Sequence, residues 1–381
     1  MRKKVLIFTD YYTPSIKGGG PIQSIKNMVD NLSDKIDFYI VAADRDLGDK
    51  NPFENNIEND WVSVGNAKVL YTNVKELNLT KIKNIINSQK FDVMYLNSFF
   101  SYKLSIIPVV MKKLNIISNL PIVLAPRGQF SPGALNLKNN KKNLYIKVTK
   151  ALGIYNNLTW HATAETEFND IKKIFGENAK IKIANNLTAN YNEKIFDKSI
   201  KKFKGHLKIV FISRIHPKKN LKQALNLLKK VERKIEYNIY GPIEDKVYWS
   251  ECDEIIHNLP ENITVTYKGA LSHEKIISTF ETHHIFLFPT LGENYGHVIS
   301  EAFIGGCPVI ISDQTPWRNL ENKKVGRDIA LSNEHEFIES INYYADLNKD
   351  EYDKLALNAF EYGKSVSNSN QDLRATYDLF K

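Results

Sequence analysis

The sequence predicts two doubly wound α/β domains in tandem, each a parallel sheet wrapped by helices. Three observations carry that expectation. Short apolar runs alternate with longer segments of helical periodicity along most of the chain. Most of those runs are continuous, the mark of strands covered on both faces. The 381 residues also exceed what one compact core usually holds, at roughly 100–200 residues per domain.

Alternating strand and helix implies parallel strands joined by right-handed crossovers. In order, the predicted strands are Lys4–Thr9, Asp37–Ala43, Lys68–Tyr71, Phe91–Leu96, Pro121–Ala125, Leu158–Ala164 and Lys180–Ala184. After the lysine-rich stretch Lys201–Lys204 the pattern restarts with Leu207–Ser213, Glu236–Tyr240, Ile263–Tyr267, His284–Phe288 and Pro308–Ser312. Helical periodicity is clearest at Ile22–Leu32, Leu221–Val231 and His297–Phe303, and the chain reads as helical and polar from about Leu331. The expected division is 1–200, 201–360 and a helical tail 361–381 that packs back on the first domain.

Composition removes several classes. With 43% hydrophobic and 25% charged residues the chain has the ordinary composition of a globular protein and is not disordered. Its longest apolar stretches, such as Leu104–Met111, fall far short of the ~20 residues that cross a bilayer. The apolar part of the N-terminus is only Val5–Phe8, too short for a signal peptide. Cys252 and Cys307 have no metal-ligand or redox spacing. Asn-x-Thr triplets at Asn78, Asn157, Asn186 and Asn262 then read as chance in an Asn-rich, cytoplasmic chain. Lys and Arg number 52 against 43 Asp and Glu, an excess of +9. Nucleic acid, an anionic membrane or an anionic small ligand could each explain it. No zinc-finger, RNP or basic-zipper pattern is present, which sets nucleic acid aside.

Open α/β sheets bind ligands outside the carboxyl ends of their strands, so the residues there are the candidates. The first strand is followed by Gly18-Gly19-Gly20-Pro21 leading into a helix, a phosphate-approaching loop or a flexible turn, and not a GxGxxG fingerprint. The fourth ends in Asn97-Ser98-Phe99-Phe100. The fifth ends in Pro126-Arg127-Gly128-Gln129-Phe130-Ser131-Pro132-Gly133, where Arg127 is either a ligand contact or a structural arginine. In the second half, Arg214-Ile215-His216-Pro217-Lys218-Lys219-Asn220 offers cations for a diphosphate, or is a solvated basic turn. Gly241-Pro242 lets a base or ribose approach. Pro289–His297 carries Glu293, and Glu301 follows within an otherwise apolar helix, where a carboxylate needs a partner. Ribose hydroxyls or a structural Lys or Arg would each serve.

Glu293-x7-Glu301 with Ala302 and Gly306-x-Pro308-Val309, and Ser213-Arg214-x4-Lys219 upstream, resembles the retaining glycosyltransferases of family four, which have the GT-B fold. Gly241-Pro242, Tyr267-Lys268-Gly269 and Thr315-Pro316-Trp317 follow in the same order, and the resemblance spans nearly the whole chain. It implies two Rossmann-like domains facing each other across a cleft, and transfer of a hexosyl-type sugar from a nucleotide-diphosphate sugar to a glycan or lipid-linked saccharide. Bacterial surface-polysaccharide assembly is the setting it implies, with no cofactor and no metal. Arg214 and Lys219 would bind the diphosphate. Glu301 would hold the ribose. Glu293, with the amides of Asn294, Tyr295 and Gly296, would meet the donor sugar or its phosphates, while Gly19 and Gly20 close over the diphosphate and Gly241 lines the donor site. Many members place a His where this chain has Arg127, so Arg127 joins Glu293, Arg214 and Lys219 as a catalytic candidate, and with Asn97 and Gly128 as an acceptor-side one. Asn185-Asn186 and Lys219-Asn220 replace the family's usual Asn-Gly and Lys-Gly.

Asp44-Arg45-Asp46 is a DxD triplet of the sort that holds a metal in other glycosyltransferases, but two carboxylates alone make a poor divalent site. Leu137–Lys150 interleaves Lys138, Lys141, Lys142, Lys147 and Lys150 with Leu144, Tyr145, Ile146 and Val148. It reads as a peripheral contact with an anionic inner leaflet or as an ordinary solvated helix. Two other functions fit the same fold: a sugar-nucleotide epimerase and a non-catalytic nucleotide-sugar binder.

Overall fold

A computed structural model describes residues 2–54, 60–131, 135, 139–191, 193–367 and 369–381. Pro132, Gly133, Leu137 and Lys138, named above, lie outside the described residues. The chain divides into two compact units, Met1–Ala189 with Ser369–Lys381, and Asn190–Asn368.

The first unit is built on β1 (Lys3–Phe8), β2 (Ile36–Ala43), β3 (Trp61–Val64), β4 (Ala67–Thr72), β5 (Val93–Asn97), β6 (Ile122–Ala125), β7 (Thr159–Ala162) and β8 (Ile181–Ile183). They lie in the order β3-β4-β2-β1-β5-β6-β7-β8, with only β3 and β4 antiparallel among these pairs. Successive side chains of β1 enter opposite cores: Val5 and Ile7 meet the helix Gly20–Leu32 side, Leu6 and Phe8 the other. Both faces are therefore dry, which is why these strands read as unbroken apolar runs. Polar side chains are left to the strand ends, and β1 and β5 flank the point where strand order reverses.

The second unit repeats the plan with β9 (His206–Ile212), β10 (Lys234–Tyr240), β11 (Ile263–Tyr267), β12 (Ile285–Phe288), β13 (Val309–Ser312) and β14 (Gly326–Ile329). Its order is β11-β10-β9-β12-β13-β14, and the reversal falls between β9 and β12. The helices beyond Leu331 are polar only outward: Phe337, Ile341, Tyr344, Tyr352 and Phe360 are buried. A Cβ on Gly363 would come within 2.9 Å of the Ile304 backbone, so glycine sets how closely Lys349–Ser367 packs on His297–Ile304.

Two strands lie outside the sequence reading. β3 is a half-exposed edge strand paired to β4 through Gly65-Asn66, and that dipeptide is the hairpin signal. β14 has no apolar run. It joins β13 because Gly326, at φ +155°, admits Val309 O to 2.2 Å of where a Cβ would sit.

Two lysines of the second unit, one just before the stretch Lys201–Lys204 and one within it, are internal. Lys198 Nζ donates to Phe280 O at 3.1 Å and Gly305 O at 3.2 Å, at the ends of the helices Ile276–Glu281 and His297–Ile304. Lys202 Nζ donates to Phe203, Ala345 and Leu347 carbonyls. Both ammonium groups satisfy carbonyls that helix ends leave open, and burial lowers both pKa values to about 8. In the first unit the final helix, Asn370–Asp378, delivers Phe380 edge-on to Phe38 and Tyr95, and Phe380 is fully buried.

Three histidines are buried as well. His161 Nε2 donates to Ala184 O and His283 Nδ1 to Thr279 O, while His284 Nδ1 accepts from Lys208 N. Burial lowers their pKa values to about 3, about 4 and about 3. The unfolded chain takes up protons near pH 6.5 that the folded chain refuses. Stability is therefore full above that pH and declines as pH falls toward 4, by about 1.4 kcal/mol per pH unit for each histidine. Thermal unfolding across pH 7 to 4.5 checks this, and His161→Asn should flatten the first unit's part of the slope.

Candidate active site

At the reversal point of the second sheet, the loops after β9 and β12 are stitched together. Leu291 N and Thr290 Oγ1 both donate to Lys218 O, and Asn220 Nδ2 donates to Pro289 O at 2.8 Å. Across this seam Lys219 Nζ meets Glu293 Oε1 at 2.6 Å, both side chains largely buried, with the ammonium 5.7 Å above the Phe288 ring. Asn220 stands at φ +59°, a left-handed position that favours glycine and tolerates asparagine.

The neighbouring cations are arranged around this pair. Arg214 reaches Glu244 Oε2 at 2.6 Å, and both side chains are half-buried. His216 Nδ1 accepts from Lys218 N and caps the turn Pro217–Lys219. Desolvation lowers the pKa of Lys218, with Lys219 and Arg214 acting in the same direction and Glu293 opposing. Gly241 lies directly behind the loop: a Cβ there would sit 1.8 Å from Ser213 O, at φ +139°.

The Glu293–Gly296 loop is braced from the segment that follows β13. Glu293 N donates to Gln314 O at 3.0 Å, and Trp317 Nε1 donates to Tyr295 O at 2.6 Å. Gly296, at φ +77°, turns the chain into the helix His297–Ile304. Glu301 on that helix is buried and meets His273 Nε2 at 3.0 Å, so its partner is neither Lys nor Arg. Its charge adds to the burial that raises the Tyr191 pKa.

In the first unit the loop Ser15–Lys17 leads to Gly18–Gly20 and is held by one carboxylate. Asp46 accepts from Ser15 Oγ at 2.5 Å, Ile16 N at 2.9 Å and Lys17 N at 3.1 Å, and these bonds outweigh burial to lower its pKa. Asp44 instead pairs with Arg45 at 2.7 Å. The DxD carboxylates thus serve two different partners. Gly19, at φ +75°, precedes the helix, and Gly20 has open space where a Cβ would stand. Asp10, after β1, accepts from Ser101 Oγ at 2.7 Å, and burial raises its pKa.

Arg127 stands at φ +57° and its guanidinium is spoken for three times. Nε donates to Asn97 Oδ1 at 2.6 Å, one terminal nitrogen to Asn186 Oδ1, and the other to Tyr95 OH at 2.9 Å. Tyr95 OH donates onward to His161 Nδ1, since His161 uses its other nitrogen as donor. Gly128 N donates to Glu167 Oε1 at 2.5 Å. Asn97, Arg127 and Gly128 therefore share one region, and Arg214, Lys219, Gly241, Glu293–Gly296 and Glu301 lie on the second unit. Glu244, His273, Asp10 and Asp46 are polar groups of these regions that sequence reasoning did not assign. Only Asp46 carried a local signal, its triplet.

Removing the guanidinium strands buried amide oxygens on Asn97 and Asn186. Arg127→Met should therefore lower stability by about 2–4 kcal/mol in urea unfolding. An unchanged midpoint would mean that the guanidinium acts on a ligand instead.

Residues 192–362 match the family described as glycosyl transferases group 1. No curated protein matches the chain. Solved structures similar in fold include sucrose-phosphate synthase from Thermosynechococcus elongatus, 12% identical over 100% of this chain and 98% of that one, TM-score 0.71. HepE of Anabaena, in complex with UDP and glucose, is 14% identical over 99% of each chain, TM-score 0.68. WaaG, a glycosyltransferase involved in lipopolysaccharide biosynthesis, is 12% identical over 99% of this chain and 98% of that one, TM-score 0.67.

Proposed function

With the chain a glycosyltransferase of the GT-B fold, its group 1 domain at residues 192–362, we propose that it is a retaining enzyme moving a hexosyl-type sugar from a nucleotide-diphosphate sugar to a glycan or lipid-linked saccharide hydroxyl. The observation that carries this reading is the Lys219–Glu293 pair at the second sheet's reversal point, with Arg214 on the same loop. HepE's complex with UDP and glucose supports a nucleoside diphosphate as the group to be held there.

In this reading Arg214 exchanges Glu244 for a phosphate oxygen, and Lys219 shares its charge between Glu293 and the diphosphate. Glu301 accepts from the ribose hydroxyls, and Gly241 leaves room for the nucleoside. Glu293 with the amides of Asn294, Tyr295 and Gly296 holds the donor sugar near its anomeric carbon. The bond from the anomeric carbon to the diphosphate oxygen breaks as the acceptor oxygen bonds to the same face. The acceptor's proton passes to the departing phosphate. Leaving-group charge falls on Arg214, Lys219 and the start of the helix His297–Ile304, so the reading needs no metal. Asn97, Arg127 and Gly128 shape the acceptor side.

The setting proposed is bacterial surface-polysaccharide assembly, and WaaG's role in lipopolysaccharide biosynthesis supports it. A lipid-linked acceptor would bring the enzyme to the inner face of the cytoplasmic membrane as a peripheral protein. Among the described residues no helix is long and apolar enough to cross a membrane.

A thermal-shift panel of UDP, GDP, ADP and CMP should show selective stabilisation by one diphosphate. With its sugar donor and an acceptor, Glu293→Gln should slow nucleotide release about 10²–10³-fold while donor binding persists. Arg214→Ala should weaken donor binding by about 10–100-fold. Wild-type protein that binds donors yet releases no nucleotide with any acceptor would overturn transfer in favour of a non-catalytic binder.

A further inference from the structure

Between Val93 and Ala164 the chain holds eight lysines, one arginine and no aspartate or glutamate. The whole formal excess of +9 lies in this run, and the remainder of the chain sums to zero. The strands within it are buried, so its lysines sit on the connecting segments. Two of its helices, Ile107–Lys113 and Asn139–Ala151, cover the same face of the first sheet, because Val109, Met111 and Ile146 share a core with Leu96 and Leu124.

The helix Asn139–Ala151 turns Ile146 and Thr149 inward. Outward it presents Leu144 and Val148, 63% and 47% exposed, and Leu152 just beyond its end is 62% exposed. These three step by four residues and form one apolar stripe. Lys141 and Lys147 are exposed beside it, and Lys150 is exposed farther round the helix. A soluble polyanion would engage the lysines and leave the stripe in water. A bilayer takes both, the aliphatic side chains at the headgroup boundary and the ammonium groups at lipid phosphates.

We propose that this face seats the protein on an anionic phospholipid bilayer. Its purpose rests on the reading of a lipid-linked acceptor, whereas the binding itself involves neither donor nor acceptor. The acid-free run supplies the long-range attraction, and the stripe supplies the short-range hold.

Sedimentation of the full chain with vesicles tests it, using phosphatidylcholine alone and an equal mixture with phosphatidylglycerol, at about 0.05 M and about 0.5 M salt. Binding is expected to the mixed vesicles at low salt only. Lys141→Gln, Lys147→Gln and Lys150→Gln together should lower it about a hundredfold. Leu144→Ser, Val148→Ser and Leu152→Ser together should lower it at least about tenfold with every lysine in place, while retention on dextran sulfate is unchanged. Wild-type protein that ignores the mixed vesicles overturns the proposal, and the salt comparison needs no variant to fold. A serine variant that holds vesicles as well as wild type also overturns it, and assigns the face to a soluble polyanion. The nucleotide-release assay stands or falls separately from either result.

Discussion

Both faces of each sheet are packed away from water, and polar side chains gather where the strands end. Charges brought to such a place need partners even with no ligand bound, because an unpaired ionised group in a half-dry site is costly. The molecule meets this with internal pairs: Lys219 with Glu293, Arg214 with Glu244, and Glu301 with His273. An incoming anion would exchange partners with these groups rather than fill a vacancy. That exchange weakens binding somewhat, but the groups need little rearrangement when charge develops.

The central strands were legible because burial on both faces writes itself into sequence as unbroken apolar runs. Of the edge strands, β8 and β11 were legible too, but β3 and β14 were not, since β3 is half-exposed and β14 owes its place to the absence of a Cβ at Gly326. The same division runs through the candidate site. Arg214, Lys219 and Glu293 could be singled out because each stands just beyond a strand's carboxyl end, and Glu301 because it interrupts an apolar helix. Their partners could not, since Glu244 and His273 come from other segments and are paired only by the fold.

Arg127 and Asp46 show the limits of local pattern more sharply. Arg127 follows a strand and admits two readings by position. The left-handed backbone and the ring of Asn97, Asn186 and Tyr95 that occupy its guanidinium arise from residues up to 59 positions away. Asp44-Arg45-Asp46 looks like one motif and is two devices, a charge pair and a clasp on the loop before the glycines. Asn220 goes the other way: the family's usual glycine is absent, yet the backbone still adopts φ +59°, and the side chain adds a bond to Pro289 O.

The placement of the excess charge has a practical consequence. When the surplus lysines and arginine belong to one acid-free run, the helices Ile107–Lys113 and Asn139–Ala151 present a basic surface with no acidic residue of their own to offset it. On a cation-exchange bead or a negatively charged sensor surface the molecule will adsorb in a preferred orientation instead of at random. Immobilised preparations would then present a uniform population of molecules, with the lysine-bearing face turned to the support.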